Sequence, residues 1–222
     1  MSQSGPIVDR ILLRFICLAG MVGASIIQAS AADSPRPNFV LIYADDLGYA
    51  DLSCYGTGYH ETPHIDRLMK DGLRFTDAYA DAPLCAPSRV ALLTGRHSAR
   101  TGCYDVFPRR ILEGVAPDLV DFNPPENRWE LPAGCSILPE YLKQVGYRTG
   151  CFGKWHVGPT KPSTRGFDEF VSVRTISHLD VSEGFIARSR NYPPPEGYSG
   201  DYLTKCAEQF LDSQEERPFF LY

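Results

Sequence analysis

Stretches with helical spacing of apolar residues alternate with short apolar runs along this chain, and few folds accept such an order. In CSILPEYLKQVGYRTGCF, helical spacing ends at Gly146 and a strand-like run follows from Tyr147 to about Phe152. GDYLTKCAEQFLDSQEERPFFLY repeats the order, with a helical stripe from Tyr202 to Leu211 and a strand in PFFLY. This alternation predicts an α/β fold, a mostly parallel (mixed) sheet sandwiched by helices.

The segment RPNFVLIYADDLGY opens this pattern. Its unbroken apolar run, Phe39 to Tyr43, predicts a strand that is buried on both faces. Asp45 and Asp46 follow directly. The prediction therefore places both carboxylates at the carboxyl end of a strand, where open α/β sheets bind their ligands.

Capping signals predict where two of the helices begin. Thr62 is the expected N-cap of the first, with Pro63 at its first position and Gly72 just beyond its end. The residues LRFTDAYA that follow predict a strand. Ser136 is the expected N-cap of the helix before Gly146.

The N-terminal residues have the pattern of an export signal. Arg10 and Arg14 precede or flank an apolar stretch, Phe15 to Ile27, and the small residues Ala-Ser-Ala end at position 31. The apolar run is shorter than the roughly 20 residues that span a bilayer, so we expect no stable membrane anchor. The predicted organisation is a signal peptide over residues 1–31 and a domain portion over 32–222, exported to the periplasm or the extracellular space, or to a lysosome in a eukaryote.

Charge and cysteine content restrict the partners of the chain. The formal net charge of -5 argues against a general nucleic-acid binder. Six of the seven cysteines lie beyond the predicted signal, and their spacing matches no zinc pattern. They could form three disulfides, or leave at least one free thiol if one of them has a chemical role.

Three sets of residues carry recognisable chemistry. Asp45 and Asp46 suit Ca²⁺ or Mg²⁺, although a solvated Asp-Asp turn is an equal alternative. Cys85, at the start of a predicted helix, would have a lowered thiol pKa, or would be a disulfide partner or a buried apolar residue. Lys154 and His156 occupy alternate positions after a strand, so in extended backbone both side chains would reach the same site.

Taken together, these segments resemble the sulfatase family. CAPSRVALLTGR resembles the sulfatase signature, Cys-x-Pro-Ser-Arg followed by Thr-Gly-Arg. PNFVLIYADDLGY is similar to the family's opening strand, TPHIDRLMKDGLRFTDAY to its first helix and strand, and GYRTGCFGKWHVG to its second signature. The resemblance runs from about Pro37 to the last residue and implies an alkaline phosphatase/sulfatase-like fold.

The resemblance implies hydrolysis of sulfate esters. Cys85 would be oxidised to formylglycine by a formylglycine-generating enzyme, and its hydrated form would attack sulfur. Ca²⁺, or alternatively Mg²⁺, would be bound by Asp45, Asp46 and the modified Cys85. Arg89 would hold the modified side chain, Lys154 would contact the sulfate, and His156 would assist the elimination.

Two further expectations follow from the resemblance. The family completes its metal site with residues beyond the segment matched here, so the fold is expected to be C-terminally incomplete. The expected substrate is an aryl sulfate or a sulfated glycan. The alternatives are a phosphonate or phosphodiester hydrolase of the same superfamily, and a non-catalytic exported protein in which Cys85 is bridged.

Overall fold

A computed structural model describes residues 36–106, 126–173, 185–189, 191–213 and 215–222. The predicted signal peptide therefore lies outside the described residues. By their internal contacts the residues divide into two units, Met1–Pro37 and Asn38–Tyr222, and all elements below belong to the second. No helix among the residues described is long and apolar enough to cross a membrane.

The described strands form one sheet of five strands. These are β1 (Phe39–Val40), β2 (Arg148–Lys154), β3 (Glu169–Val173), β4 (Phe185–Arg188) and β5 (Phe219–Leu221). Their spatial order is β1-β5-β2-β3-β4, and only the β3–β4 pair is antiparallel. The mostly parallel, mixed sheet that the sequence predicts is confirmed.

Five α-helices accompany the sheet in the described ranges. They are α1 (Pro63–Asp71), α2 (Cys85–Thr94), α3 (Ser98–Thr101), α4 (Leu138–Gln144) and α5 (Ser199–Leu211). There are also two short 3-10 helices, Ser53–Tyr55 between β1 and α1 and Pro162–Arg165 between β2 and β3.

Apolar side chains are buried on both faces of the sheet. Cys151 of β2 and Phe170 of β3 belong to the larger core cluster, which also contains Val90 of α2. The next residues along the same strands, Phe152 and Val171, belong to a second cluster with residues of α5. Because successive side chains of a strand point to opposite faces, α2 and α5 pack on opposite sides of the sheet.

The helix that begins at Cys85 has clear local causes. Leu84 is extended and serves as its N-cap residue, and the Ser88 N–H donates to the Leu84 carbonyl at 3.1 Å. Pro87 lies in the first turn, where a helix has no partner for a backbone N–H. Gly95 ends the helix in the left-handed conformation, with φ 63°. The predicted position of Cys85 at a helix N-terminus is confirmed.

Two predicted strands differ in the structure. The run from Phe39 to Tyr43 forms strand only at Phe39–Val40, and it lies at the sheet edge instead of being buried on both faces. Val40 is 54% exposed and Ile42 is 83% exposed, because β1 pairs on one side only, with β5, among the strands that the structure describes. LRFTDAYA forms no strand, and its side chains are exposed. Strand propensity without a neighbouring strand to bond is not enough to form a strand.

Two predicted helix starts differ in their caps. Thr62 precedes α1 as expected, but it makes no side-chain cap bond; its hydroxyl bonds to Ser53 and Asp66. Ser136 is not the cap of α4, because Ile137 takes that position. Glu140 supplies the other half of a capping box, since its Oε2 accepts the N–H of the cap residue Ile137 at 2.9 Å.

The buried face of α5 generates a test of this packing. Phe210 is 1% exposed, whereas its neighbour Leu211 is 40% exposed. We expect Phe210→Ala to lower the free energy of unfolding by about 3–5 kcal/mol, because it leaves a cavity against β2. Leu211→Ala is the control and should cost less than about 1 kcal/mol. Urea unfolding followed by circular dichroism measures both, and equal losses would contradict this assignment of faces.

Candidate active site

Asp45 lies between two cations after the end of β1. Its Oδ1 accepts a hydrogen bond from Arg89 Nη2 at 3.0 Å, and its Oδ2 accepts one from Lys154 Nζ at 2.8 Å. The side chain of Arg89 is 4% exposed, and those of Asp45 and Lys154 are each 13% exposed. The structure therefore brings together three of the predicted site residues, from α2, from β2 and from the segment after β1.

The pKa values of this network follow its geometry. Burial acts to raise the pKa of Asp45, but hydrogen bonds from Lys154 and Arg89 outweigh burial and lower it from the usual 3.8. Burial likewise acts to lower the pKa of Arg89, and the neighbouring Tyr222 and Asp45 raise it above its ordinary value. Both groups of the ion pair therefore stay charged at neutral pH.

Arg89 is fixed by further contacts around its guanidinium. Nη1 donates to the carbonyl of Lys154 at 2.7 Å and to the Tyr222 hydroxyl at 3.0 Å. The ring of Tyr43 lies 5.2 Å from Cζ. Of the two N–H groups that remain, the one on Nε is buried and has no hydrogen-bond partner within the described part of the chain. A buried N–H without an acceptor is costly, so this arrangement has a donor available for a further group.

Cys85 is the first residue of α2 and lies one helical turn before Arg89, on the same face. It is half-buried and packs against the larger core cluster. All six described cysteines are free thiols, and Cys85 is one of them. The bridged Cys85 that the sequence left open as an alternative is therefore absent from the structure.

His156 occupies a different setting from the one predicted. β2 ends at Lys154, and His156 has φ 49°, so the two residues do not share one extended segment. Trp155 between them is buried, and its indole N–H donates to the Thr160 carbonyl at 2.7 Å. The extended geometry expected for the pair is therefore wrong, and the assignment of His156 to the site stays a prediction.

Left-handed backbone outside glycine occurs at two of the predicted site residues. Among the residues described, the non-glycine positions with positive φ are Asp46, with φ 59°, and His156. Both are predicted site residues. Such a conformation costs free energy and is found mostly where function or surrounding structure requires it. Asp46 is exposed, and it is the next residue in the chain after Asp45, which belongs to the hydrogen-bond network.

Carboxylates at the end of β1 suit a hard cation in their chemistry. Each oxygen of Asp45 accepts one hydrogen bond and retains a further lone pair, and Asp46 is exposed. Nowhere in the described ranges do three or more His, Cys, Asp or Glu gather closely enough to hold a metal ion. The donors therefore fit Ca²⁺ or Mg²⁺ in kind, but they are fewer than the roughly six to eight that Ca²⁺ takes. The ligand set of Asp45, Asp46 and Cys85 stays a prediction.

Two site residues were not predicted from the sequence. Tyr43 contacts Arg89 through its ring and Ser88 through its hydroxyl, and Tyr222 accepts a hydrogen bond from Arg89. Both tyrosines end apolar runs that were interpreted as strands. The position of a polar-tipped residue at a strand's carboxyl end is the one signal that could have indicated them.

Comparisons with known proteins agree with this geometry. The family model described as Sulfatase matches residues 37–222. Arylsulfatase A from Homo sapiens is 45% identical over 227 residues, covering 88% of this chain and 42% of that protein. Steryl-sulfatase from Rattus norvegicus is 39% identical over 164 residues, covering 70% of this chain and 27% of that protein.

Solved structures give the same result. The crystal structure of Ps i-CgsB in complex with k-i-k-neocarrahexaose matches with a TM-score of 0.69 and 31% identity, covering 84% of this chain and 44% of that one. PsFucS1 sulfatase from Pseudoalteromonas sp. matches with a TM-score of 0.65 and 29% identity, covering 89% and 45%. The chain thus spans less than half the length of these relatives.

The left-handed backbone at Asp46 generates a second test. Because a Cβ is disfavoured at φ 59°, we expect Asp46→Ala to be less stable than Asp46→Gly by about 1 kcal/mol. Asp77 is exposed and is not among the residues with positive φ, so there Ala should be the more stable. Thermal unfolding of the four variants measures these stabilities. The same order of Ala and Gly at both positions would refute the left-handed conformation of Asp46.

Proposed function

Because the chain belongs to the sulfatase family, we propose that it hydrolyses sulfate esters to an alcohol and inorganic sulfate, with formylglycine made from Cys85 as the nucleophile. The observation that carries this proposal is the buried Arg89, held by Asp45, Lys154 and Tyr222 one turn after Cys85. The Nε–H of Arg89, which has no partner among the described residues, supports the presence of an oxygen acceptor at the site. Formylglycine would provide this acceptor, whereas a thiol accepts hydrogen bonds only weakly.

Arg89 and Lys154 would supply the positive charge that sulfate chemistry needs. Charge spreads over the terminal oxygens of a sulfate ester in the transition state, and fixed cations stabilise it without reorganising. Arg89 is paired with Asp45 through Nη2 and would position the modified Cys85 through its remaining Nε–H. Lys154 retains two further N–H donors beyond its bond to Asp45, so it could contact a sulfate oxygen while that bond persists.

Asp45 and Asp46 would hold the divalent cation, Ca²⁺ or Mg²⁺, with further ligands from outside the described residues. When bound, such a cation lowers the pKa of an oxygen nucleophile and neutralises sulfate charge. Asp45 would orient Arg89 and Lys154. His156 would accept the proton of the second hydroxyl of hydrated formylglycine while the aldehyde re-forms and the C–O bond to sulfate breaks.

The substrate class follows from the relatives only in outline. Similar proteins include N-acetylgalactosamine-6-sulfatase from Homo sapiens, which is 41% identical over 145 residues, besides arylsulfatase A and steryl-sulfatase. We therefore propose an aryl sulfate or a sulfated glycan as substrate. We also propose that residues 1–31 direct export and that a formylglycine-generating enzyme matures Cys85.

The modification gives the first test of this function. From a host with the formylglycine-generating enzyme, we expect the tryptic peptide of residues 75–89 to lose H₂S and gain one oxygen, because the thiol becomes an aldehyde. Mass spectrometry measures this, and a hydrazide should label the product. The peptide of residues 149–154, with buried Cys151, is the internal control and should remain unchanged. An unmodified Cys85 would reject the proposal.

Lys154 gives the second test. Lys154→Gln should lower kcat/KM for 4-nitrophenyl sulfate by about 100-fold or more, because it removes a cation from the sulfate site. Lys161→Gln is the matched control, since Lys161 is exposed and outside the network, and its kcat/KM should match the parent. Parent-like turnover of Lys154→Gln would remove Lys154 from the mechanism.

A further inference from the structure

Tyr43 and Tyr222 contact Arg89 from separate parts of the chain. Tyr43 follows β1 and presents its ring to the guanidinium, with the centroid 5.2 Å from Cζ. Tyr222 follows β5 and accepts the Nη1 hydrogen bond at 3.0 Å. The ring contact restricts the plane of the guanidinium, and the hydrogen bonds on both Nη atoms restrict its rotation within that plane.

Both tyrosines are themselves held in place. The Tyr43 hydroxyl bonds to the hydroxyl of Ser88, which is buried on the same helix as Arg89. The backbone N–H of Tyr222 donates to Gly150 at 2.9 Å, and its carbonyl accepts from Phe152 at 2.8 Å. Burial raises the pKa of Tyr222 to about 12, so it remains a neutral phenol. Each contact on Arg89 therefore comes from a fixed group.

We propose that Tyr43 and Tyr222 are positioning residues that hold the Arg89 guanidinium in one orientation against Asp45. The restraint on Arg89 is a property of the fold, while its effect on turnover rests on the proposed function. A loosely held arginine samples many rotamers, and misplacement of a charged group by a fraction of an ångström weakens its effect on a reacting centre.

Substitutions can separate the ring contact from the hydroxyl contacts. Tyr222→Phe removes only the acceptor for Arg89 and keeps the ring beside Phe167. Tyr43→Leu removes the ring face, and Tyr43→Phe keeps that face while removing the contact with Ser88. Tyr202→Phe is the matched control, because it removes a buried hydroxyl, bonded to the Pro193 carbonyl at 2.8 Å, on the other face of the sheet.

The first measurement is independent of activity. NMR of isotope-labelled protein, with the Arg89 signals assigned by their loss in Arg89→Lys, reports rotation about the Cζ–Nε bond. We expect rotation to accelerate about tenfold in Tyr222→Phe and in Tyr43→Leu, and to stay near the parent rate in Tyr43→Phe and Tyr202→Phe. If rotation in Tyr222→Phe and in Tyr43→Leu is as slow as in Tyr202→Phe, the proposal is overturned.

The second measurement is turnover of 4-nitrophenyl sulfate by the matured chain. We expect kcat of Tyr222→Phe to fall about tenfold with KM within about twofold of the parent, and Tyr202→Phe to keep both values. If rotation is faster in Tyr222→Phe but its kcat equals that of Tyr202→Phe, the catalytic part of the proposal is overturned. A matured parent without sulfatase activity would refute the proposed function, and the NMR comparison would still decide whether the tyrosines hold Arg89.

Discussion

The buried ion pair between Arg89 and Asp45 is the constraint on which the site depends. The side chain of Arg89 is 4% exposed, and a charge buried in this way needs hydrogen-bond acceptors. The helix that carries Arg89 cannot supply them. The acceptors come from the segment after β1, from the end of β2 and from the residue after β5. Burying one charge on α2 therefore fixes the relative position of three other segments around Cys85.

This pairing also sets the electrostatic character of the site. One carboxylate oxygen of Asp45 pairs with Arg89 and the other pairs with Lys154. The two positive charges are therefore held in place without a bound anion. Contacts with Lys154 and Arg89 lower the pKa of Asp45 against the effect of burial, and contacts with Tyr222 and Asp45 raise the pKa of Arg89 in the same way. A site organised in this way has little reorganisation left to perform when charge develops on a substrate.

Local signals in the sequence were sufficient for part of this molecule. The stripe of α5 was predicted because its helical period repeats over many residues. β2 was predicted from its place after Gly146, and the start of α2 from Pro87 and its neighbours. The exposure of β1 was not predicted, because burial of a two-residue strand depends on its neighbours in the sheet. The roles of Tyr43 and Tyr222 depend on pairing between distant segments, and their position at the ends of apolar runs was the one signal for them in the sequence.

The pairing of β1 with β5 also affects when the molecule can fold. The Phe219 N–H bonds to the Asn38 side chain across 181 positions, and Phe220 belongs to the core cluster that contains Val90 of α2. During synthesis from the N-terminus, that core cannot close until β5 has been made. From its own synthesis until β5 has been made, the segment around Cys85 therefore stays accessible, and folding itself would end that period.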